Sequence, residues 1–237
     1  MYEFKTNITE IIDRAENVKS FRFKRPNDVT FSPGQWFFLE INTSKGIFKK
    51  PFSFSSSPTE TFLEFTKRLT QSDLSKYLGN EAKVGDEVFI RMPLGNLTFL
   101  GEHAKIALLS GGIGITPFKS IIKYATDKKL SSDIILFYSS RDEKNIIFKD
   151  ELNEMKKNNP KFNVIHTLTD EEMVSPSWTG NKGFICDDSI KKHIPDYKER
   201  IFYVCGPPTM VTSLVEILRE KLDIKQEKIR IENFTGY

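Results

Sequence analysis

The chain has 237 residues, enough for one large domain or two small ones, and its 35 basic and 32 acidic residues leave a formal charge of +3. This small positive excess is not evidence for a nucleic-acid partner. It either keeps the protein soluble or forms a basic face that binds an acidic partner. No apolar run reaches the roughly 18 residues of a membrane span, and the polar residues 1–9 do not form a signal peptide.

Short strands separated by turns dominate the first part of the chain. In residues 18–24, Phe21 and Phe23 fall on one face of an alternating strand. Further strands are predicted at 36–41, 51–56, 62–69 and 88–92, and one short helix at 73–78. Turn-forming residues at 32–34, 57–59, 84–86 and 93–96 separate them. Many short strands with this punctuation predict an antiparallel β-barrel.

Strands alternate with helices in the rest of the chain. Strands are predicted at 106–109, 134–138, 162–167, 201–205 and 229–233. Helices are predicted at 117–126, 148–158 and 209–222, the last with one continuous apolar stripe. This alternation predicts a parallel five-stranded sheet covered by helices. The predicted domains are therefore residues 1–102 and 103–237.

A glycine-rich turn joins the first strand of the second domain to its first helix. Glycines at 111, 112 and 114 let the backbone approach a ligand without a Cβ in the way. The N–H groups at the start of the helix favour the negative charge of a diphosphate. We expect Thr116 to cap this helix and Pro117 to lie in its first turn. The alternative is a tight turn that holds no ligand.

Three motifs in this order resemble the ferredoxin–NADP reductase superfamily, and the resemblance spans essentially the whole chain. They are Lys50-Pro51-Phe52-Ser53, the turn from Ser110 to Pro117, and Cys205-Gly206-Pro207-Pro208-x-Met210. They are similar, in turn, to the family's Arg-x-Tyr-Ser motif, its nicotinamide-nucleotide diphosphate turn and its Cys-Gly-Pro-Pro-x-Met motif. The resemblance implies an FAD enzyme with a Greek-key β-barrel for FAD and a Rossmann-like α/β domain for NADH or NADPH.

The resemblance also implies which residues meet FAD. Lys50 stands where the family's arginine meets the diphosphate, with its charge but without the bidentate fork. Phe52 stands where a tyrosine stacks on the flavin, and Ser53 is the catalytic candidate beside flavin N5; for Phe54 we favour ordinary core packing. A short helix lacks the family's opening glycine, and Asp73 puts an acid near the diphosphate. The expected FAD contacts are Lys50, Pro51, Phe52, Ser53, Lys67, Arg68, Ser72, Leu74, Ser75 and Tyr237.

The nicotinamide nucleotide is expected at the second domain, where the family places Cys205 beside the nicotinamide C4 as a second catalytic candidate. Asp170 stands near the adenosine ribose, where an acid disfavours a 2′-phosphate and favours NADH. Arg141 argues for NADPH or is a surface charge. The expected NAD(P) contacts are Gly111, Gly112, Gly114, Thr116, Pro117, Ser140, Arg141, Asp170, Cys205, Gly206, Pro207 and Met210.

The last residues leave two alternatives open. Tyr237 either stacks on the flavin and moves when nicotinamide enters, or belongs to a frayed tail. Glu232 either relays a proton or faces solvent, and we favour solvent.

The expected reaction is hydride transfer from NADH, or NADPH, to FAD, followed by electron release to a separate acceptor. That acceptor is a protein such as a ferredoxin, a flavodoxin or a haem protein, or a small molecule, and the sequence specifies neither it nor the oligomeric state. The alternatives are an electron-transfer subunit of a larger redox complex and a non-catalytic nucleotide-binding module of the same fold.

The numbers of cysteines and histidines bear on the cellular location, on iron–sulfur clusters and on metal binding. The only two cysteines, Cys186 and Cys205, favour a reducing and therefore cytoplasmic location. They are too few for an all-cysteine iron–sulfur cluster, which needs about four thiolates. The three histidines show no metal-ligand spacing, and we predict no metal site. We also predict no nucleic-acid partner and no membrane span.

Overall fold

A computed structural model describes residues 1–43 and 45–233 of the chain. Contacts divide these residues into two compact units. The first consists of Met1–Leu100 and Thr116–Tyr124, and the second of Gly101–Ile115 and the described residues from Ala125 onward. A boundary near residue 102 stays a prediction, because one helical segment beyond it belongs to the first unit.

The first unit is built on six antiparallel strands. They are β1 (Tyr2–Ala15), β2 (Val18–Lys24), β3 (Trp36–Thr43), β4 (Gly46–Ser53), β5 (Phe62–Arg68) and β6 (Glu87–Leu94), in the spatial order β4-β3-β6-β1-β2-β5. Beyond β4, the Ser55 N–H donates to the Glu64 carbonyl at 2.8 Å, so the chain passes from one edge strand to the other. One helix, α1 (Asp73–Asn80), follows β5. The predicted antiparallel barrel fold is confirmed.

Side-chain alternation explains how these strands form the barrel core. Phe21 and Phe23 on β2 are fully buried, as their spacing predicted, and both stack against Phe65 on β5. Phe54 is also a core residue, with its ring centroid 4.6 Å from that of Phe37. The sequence reading missed β1, in which intermediate and exposed residues alternate with little full burial.

The second unit has the predicted parallel sheet with helices. Its strands are β7 (Lys105–Gly111), β8 (Asp133–Ser140), β9 (Phe162–Leu168), β10 (Asn181–Lys182), β11 (Ile201–Gly206) and β12 (Ile229–Asn233), in the spatial order β10-β9-β8-β7-β11-β12. The five predicted strands are confirmed, and the two-residue β10 extends the sheet at one edge. The strand order reverses at β7, which has β8 on one side and β11 on the other. Open α/β sheets bind ligands at this kind of switch point, beyond the carboxyl ends of the strands.

Four helices accompany the parallel sheet. They are α2 (Ile115–Asp127), α3 (Lys149–Asn158), α4 (Asp187–His193) and α5 (Pro208–Glu216), which continues as a π-helical turn, Ile217–Lys221. Of these, α4 was not predicted, because Ile190 is its one buried residue and gives no periodic signal. Most of α2, Thr116–Tyr124, belongs to the first unit.

Candidate functional site

The two turns that end β7 and β11 lie side by side in the second unit. Their strands are paired in parallel, with Ser110 opposite Cys205. A Cβ at Gly114 would overlap the Cys205 carbonyl and lie 2.6 Å from the Gly206 Cα. A Cβ at Gly111 or at Gly206 would overlap the Met210 side chain. Gly114 is therefore required where the backbones of the two turns touch, whereas at Gly111 and Gly206 the flexible end of Met210 would have to move.

The start of α2 carries the exposed part of the first turn. Residues Gly112–Gly114 form a 3₁₀ turn that leads directly into the helix. Gly112 has a φ of +53°, and nothing lies within 4 Å of the Cβ it lacks. This open, left-handed position suits glycine, and it lies at the start of a helix, where anions are favoured.

One prediction about this turn is wrong. Because the helix begins at Ile115, Thr116 lies inside its first turn and is buried, so it is not the capping residue. The 3₁₀ turn occupies the positions where a side-chain cap would stand, and Gly111 precedes it without a side-chain hydrogen bond. Pro117 lies in the first turn of α2, as predicted.

Beyond β8 and β9, the residues assigned to the adenosine ribose meet each other. The Arg141 Nε lies 3.1 Å from the Asp170 Oδ2, and the Asp170 N–H donates to the Arg141 carbonyl at 3.0 Å. The Ser140 hydroxyl is buried and has no hydrogen-bond partner among the described residues. The side chain of Arg141 is largely exposed, and its one described side-chain contact is this weak surface pair with Asp170.

Cys205 and Glu232 form a buried pair at the ends of β11 and β12. They are opposite each other in the parallel register, and Cys205 is fully buried. Burial raises the pKa of the Cys205 thiol, and the Glu232 carboxylate raises it further. Burial also raises the pKa of Glu232 to about 7. Glu232 as a residue is partly exposed, as expected of a solvent-facing carboxylate, but its Oε2 is buried without a partner in the described chain.

In the first unit, β4 carries the residues assigned to the flavin. Phe52 stacks on Phe65 with ring centroids 4.3 Å apart. Ser53, the last residue of the strand, is 4% exposed, and its hydroxyl has no hydrogen-bond partner within the described residues. A buried hydroxyl without a partner is costly, and a flavin nitrogen is a group that would satisfy it. The residues present therefore fit a flavin.

Two lysines converge near these residues. Burial lowers the pKa of Lys67, and the nearby charge of Lys50 lowers it further. Neither lysine forms an ion pair with a carboxylate in the described part of the chain. Arg68 follows Lys67 at the end of β5. Adjacent cations repel each other, and a bound diphosphate would remove that repulsion.

Helix α1 begins with a serine cap, and a lysine pairs with the acid in its first turn. Ser72 caps the helix and its hydroxyl accepts from the Ser75 N–H at 3.3 Å. Lys45 lies 3.0 Å from the Asp73 carboxylate and neutralises the acid that would repel a diphosphate. The Leu74 side chain is in the barrel core, so only its backbone N–H is left for a cofactor. Lys45 was missed because no local pattern links it to Asp73.

Three further predictions concern Tyr237, metal binding and membrane spans. Tyr237 lies outside the described residues, as does Phe234. Across residues 1–43 and 45–233, no group of three or more His, Cys, Asp or Glu side chains is arranged to hold a metal ion. Over the same residues, none of the helices has the length and apolar character that crossing a bilayer requires.

Two family models match the chain in the order of its two units. The first, the oxidoreductase FAD-binding domain, matches residues 5–99. The second, the oxidoreductase NAD-binding domain, matches residues 108–216. FAD and a nicotinamide nucleotide are therefore the cofactors of these domains.

Relatives of known name are reductases. The chain is 27% identical to the glycine betaine monooxygenase reductase subunit of Chromohalobacter salexigens over 89% of its own length and 58% of that protein. It is 29% identical to NADH-cytochrome b5 reductase 1 of Aspergillus terreus over 87% of its length and 74% of that protein. The chain thus spans less than two thirds of the first relative and about three quarters of the second.

The fold is also found in a solved structure, the flavohem-like FAD/NAD-binding domain of nitric oxide dioxygenase from Vibrio cholerae. It superposes with a TM-score of 0.85 at 22% sequence identity and covers 98% of each chain. This likeness extends over both units and concerns the fold alone.

Proposed function

The chain belongs to the ferredoxin–NADP reductase superfamily, and from that premise we propose that it transfers a hydride from NADH to FAD and then passes electrons to a separate acceptor. The observation that carries the proposal is the Ser53 hydroxyl, buried at the end of β4 in the FAD-binding domain without a partner among the described residues. The names of the relatives support the reaction class, since both are reductases.

In the proposed mechanism, bound FAD would supply the chemistry of hydride acceptance and of onward electron transfer. Ser53, at the end of β4, would donate its hydroxyl hydrogen to a nitrogen of the flavin and so help to orient the ring. Phe52, held against Phe65, packs on the flavin ring and excludes water. Lys50 and Lys67 bind the diphosphate, and Ser72 with the N-terminal N–H groups of α1 completes its binding site.

The second unit is proposed to bind the nicotinamide nucleotide. The diphosphate meets the N–H groups around Gly112 at the start of α2. Cys205 packs beside the nicotinamide as a neutral thiol, because burial raises its pKa. Glu232 holds a proton near neutral pH, since its pKa is raised to about 7 by burial. It is therefore a candidate proton carrier in the same site.

We assign NADH as the preferred donor. Asp170 offers a carboxylate to a free ribose hydroxyl and pairs with the one cation, Arg141, that the sequence reading assigned to a 2′-phosphate. The acceptor is proposed to be a redox protein such as a ferredoxin, a flavodoxin or a haem protein. One relative is named as the reductase subunit of a monooxygenase, so its name implies at least one other subunit. This supports an acceptor on a separate chain. We propose a cytoplasmic location, which the two free cysteines support.

The test is anaerobic stopped-flow reduction of the purified holoprotein with NADH and, separately, with NADPH. The flavin absorbance is expected to bleach with both, at a higher kcat/KM for NADH. Mixing the reduced protein with a panel of acceptors then ranks the acceptors by the rate at which the absorbance returns. A protein that takes up no FAD, or whose bound FAD is not reduced by either nucleotide, refutes the proposal.

A further inference from the structure

One buried carboxylate in the first unit gathers three cations. Glu64 on β5 is fully buried. Its Oε2 lies 2.9 Å from the Arg14 Nη2 and 2.8 Å from the Arg22 Nε. Its Oε1 lies 3.3 Å from the Lys119 Nζ and accepts from the Ser55 hydroxyl at 2.8 Å. None of these four charged residues was predicted as a site residue, and none has a role in the mechanism proposed above.

The three cations hold the buried carboxylate of Glu64 in its charged form. Burial raises the pKa of Glu64, but Lys119 and Arg14, followed by Ser55 and Arg22, outweigh that effect and hold it below its ordinary value. The two arginines come from β1 and β2, the strands nearest to β5 in the sheet order, and Arg22 also pairs with the Glu10 carboxylate at 2.7 Å. Among the charged partners of Glu64, Lys119 lowers its pKa most.

Lys119 differs from the arginines in where it comes from. It lies on α2, and it is itself only 4% exposed. A buried ammonium is costly unless it is paired, so Glu64 holds Lys119, and with it the helix, against the barrel. This contact lies within the first unit, which includes Thr116–Tyr124.

The residues of the cluster lie close in sequence to two of the predicted motifs. Ser55, which binds Glu64, is two residues after Ser53 on the strand assigned to the flavin. Lys119 is two residues after Pro117, at the end of the turn assigned to the nicotinamide diphosphate. Glu64 therefore fixes the segment after Ser53 and the helix after the diphosphate turn to the same point of the barrel.

We propose that Lys119 is a positioning residue for hydride transfer: its ion pair with Glu64 holds Thr116–Tyr124, the part of α2 that directly follows the diphosphate turn, while NADH reacts. The proposal rests on the reductase function given above. Affinity for NADH depends instead on the turn itself, which is held by the packing of Gly114 on Cys205 and Gly206. Loss of the ion pair should therefore act on the rate of the hydride step more than on binding.

The decisive variant is Lys119→Met, which keeps most of the side-chain volume and leaves Glu64 with two arginines. In anaerobic stopped-flow experiments on the FAD-loaded protein, the limiting rate of flavin reduction by NADH should fall about tenfold or more, because misplacement by about 1 Å can cost as much as 100-fold. The NADH dissociation constant and the FAD content should stay close to those of the wild type. Lys119→Arg, which keeps the charge, should restore most of the rate.

Two controls separate this role from a structural one. Lys128→Met removes an exposed lysine just beyond the end of α2 and should leave the limiting rate unchanged. In a Glu64→Gln background, Lys119→Met should slow reduction no further, because the pair is already broken. A lower melting temperature with an unchanged limiting rate per bound FAD overturns the proposal. If the wild type itself is not reduced by NADH, the proposed function fails instead.

Discussion

At the scale of single residues, the most informative side chains are buried polar groups without protein partners. Ser53, Ser140 and Glu232 each bury an oxygen that no described residue satisfies. Native proteins satisfy most such groups, and these three atoms also lie at or beside residues that the sequence assigns to the two cofactors, so we propose that ligands satisfy them. All three lie at strand ends, where ligands of α/β sheets and barrels are met.

Ser53→Ala tests the assignment of the flavin. Loss of one hydrogen bond of about 1–1.5 kcal/mol should slow flavin reduction by roughly tenfold, while FAD retention changes little because the diphosphate contacts remain. Limiting rates from stopped-flow and FAD affinity from fluorescence titration measure the two effects. Ser120→Ala is the matched control, since that serine is equally buried and its hydroxyl also has no described partner. Equal losses of rate and FAD affinity in Ser53→Ala would contradict a role at N5.

Asp170 should control the choice of nucleotide. Asp170→Asn removes a negative charge next to the ribose and releases Arg141, whose Nε lies 3.1 Å from it. A charge-assisted bond to a 2′-phosphate is worth about 1.5–3 kcal/mol, so the kcat/KM ratio of NADPH to NADH should rise about tenfold or more. The double variant Asp170→Asn with Arg141→Gln should lose the gain. An unchanged ratio in Asp170→Asn would remove this pair from the ribose site.

Glu232 should make the stability of the protein depend on pH. Burial raises its pKa from 4.5 to about 7 in the folded state. The unfolded carboxyl therefore loses its proton first as pH rises, and the stability that the protonated form contributes is present below about pH 4.5 and lost up to about pH 7. Comparison of denaturant midpoints at pH 5 and pH 8 should show a smaller pH-dependent loss in Glu232→Gln than in the wild type. Parallel curves for the two proteins would argue against a raised pKa.

At the scale of elements, the two turns act as one unit because glycines let their backbones touch. Gly114→Ala would place a methyl group on the Cys205 carbonyl and 2.6 Å from the Gly206 Cα. The turns must then separate, and the NADH dissociation constant should rise by about tenfold, a loss typical of overpacking by about 1–3 kcal/mol. Gly79→Ala, inside α1, meets only the flexible end of Leu69 at 3.1 Å and should leave NADH binding unchanged. Unaltered NADH binding in Gly114→Ala would show that the turns do not form the nucleotide site together.

Elements were predictable from sequence where the signal is local. The alternation of Phe21 and Phe23, and the apolar runs of β7 and β11 that end in glycine, are contained in a few consecutive residues. The motifs likewise gave the order of the two domains. The Glu64–Lys119 pair joins residues 55 positions apart, and the sequence around neither residue predicts the contact. Long-range charge pairs and the capping of α2 by a 3₁₀ turn depend on packing, which no local pattern encodes.

At the scale of the whole molecule, the units that contacts define do not coincide with two continuous halves of the sequence. The chain leaves the first unit after Leu100, returns to it for Thr116–Tyr124, and leaves again. Helix α2 is therefore shared, with its first turns belonging to the barrel and the remainder to the parallel sheet. A sequence boundary at residue 102 would instead assign all of α2 to the second domain.

Hydrogen exchange measured with and without FAD distinguishes these two descriptions. Because binding stabilises the unit that holds the ligand, removal of FAD should increase amide exchange in Met1–Leu100 and, together with it, in Thr116–Tyr124. Strands β8 and β9 should change much less, and they serve as the internal control. In Lys119→Met the helix should lose this response, since its buried link to Glu64 is gone. If Thr116–Tyr124 follows β8 and β9 rather than the barrel in the wild type, the helix belongs energetically to the second unit, and the boundary at residue 102 describes the molecule better.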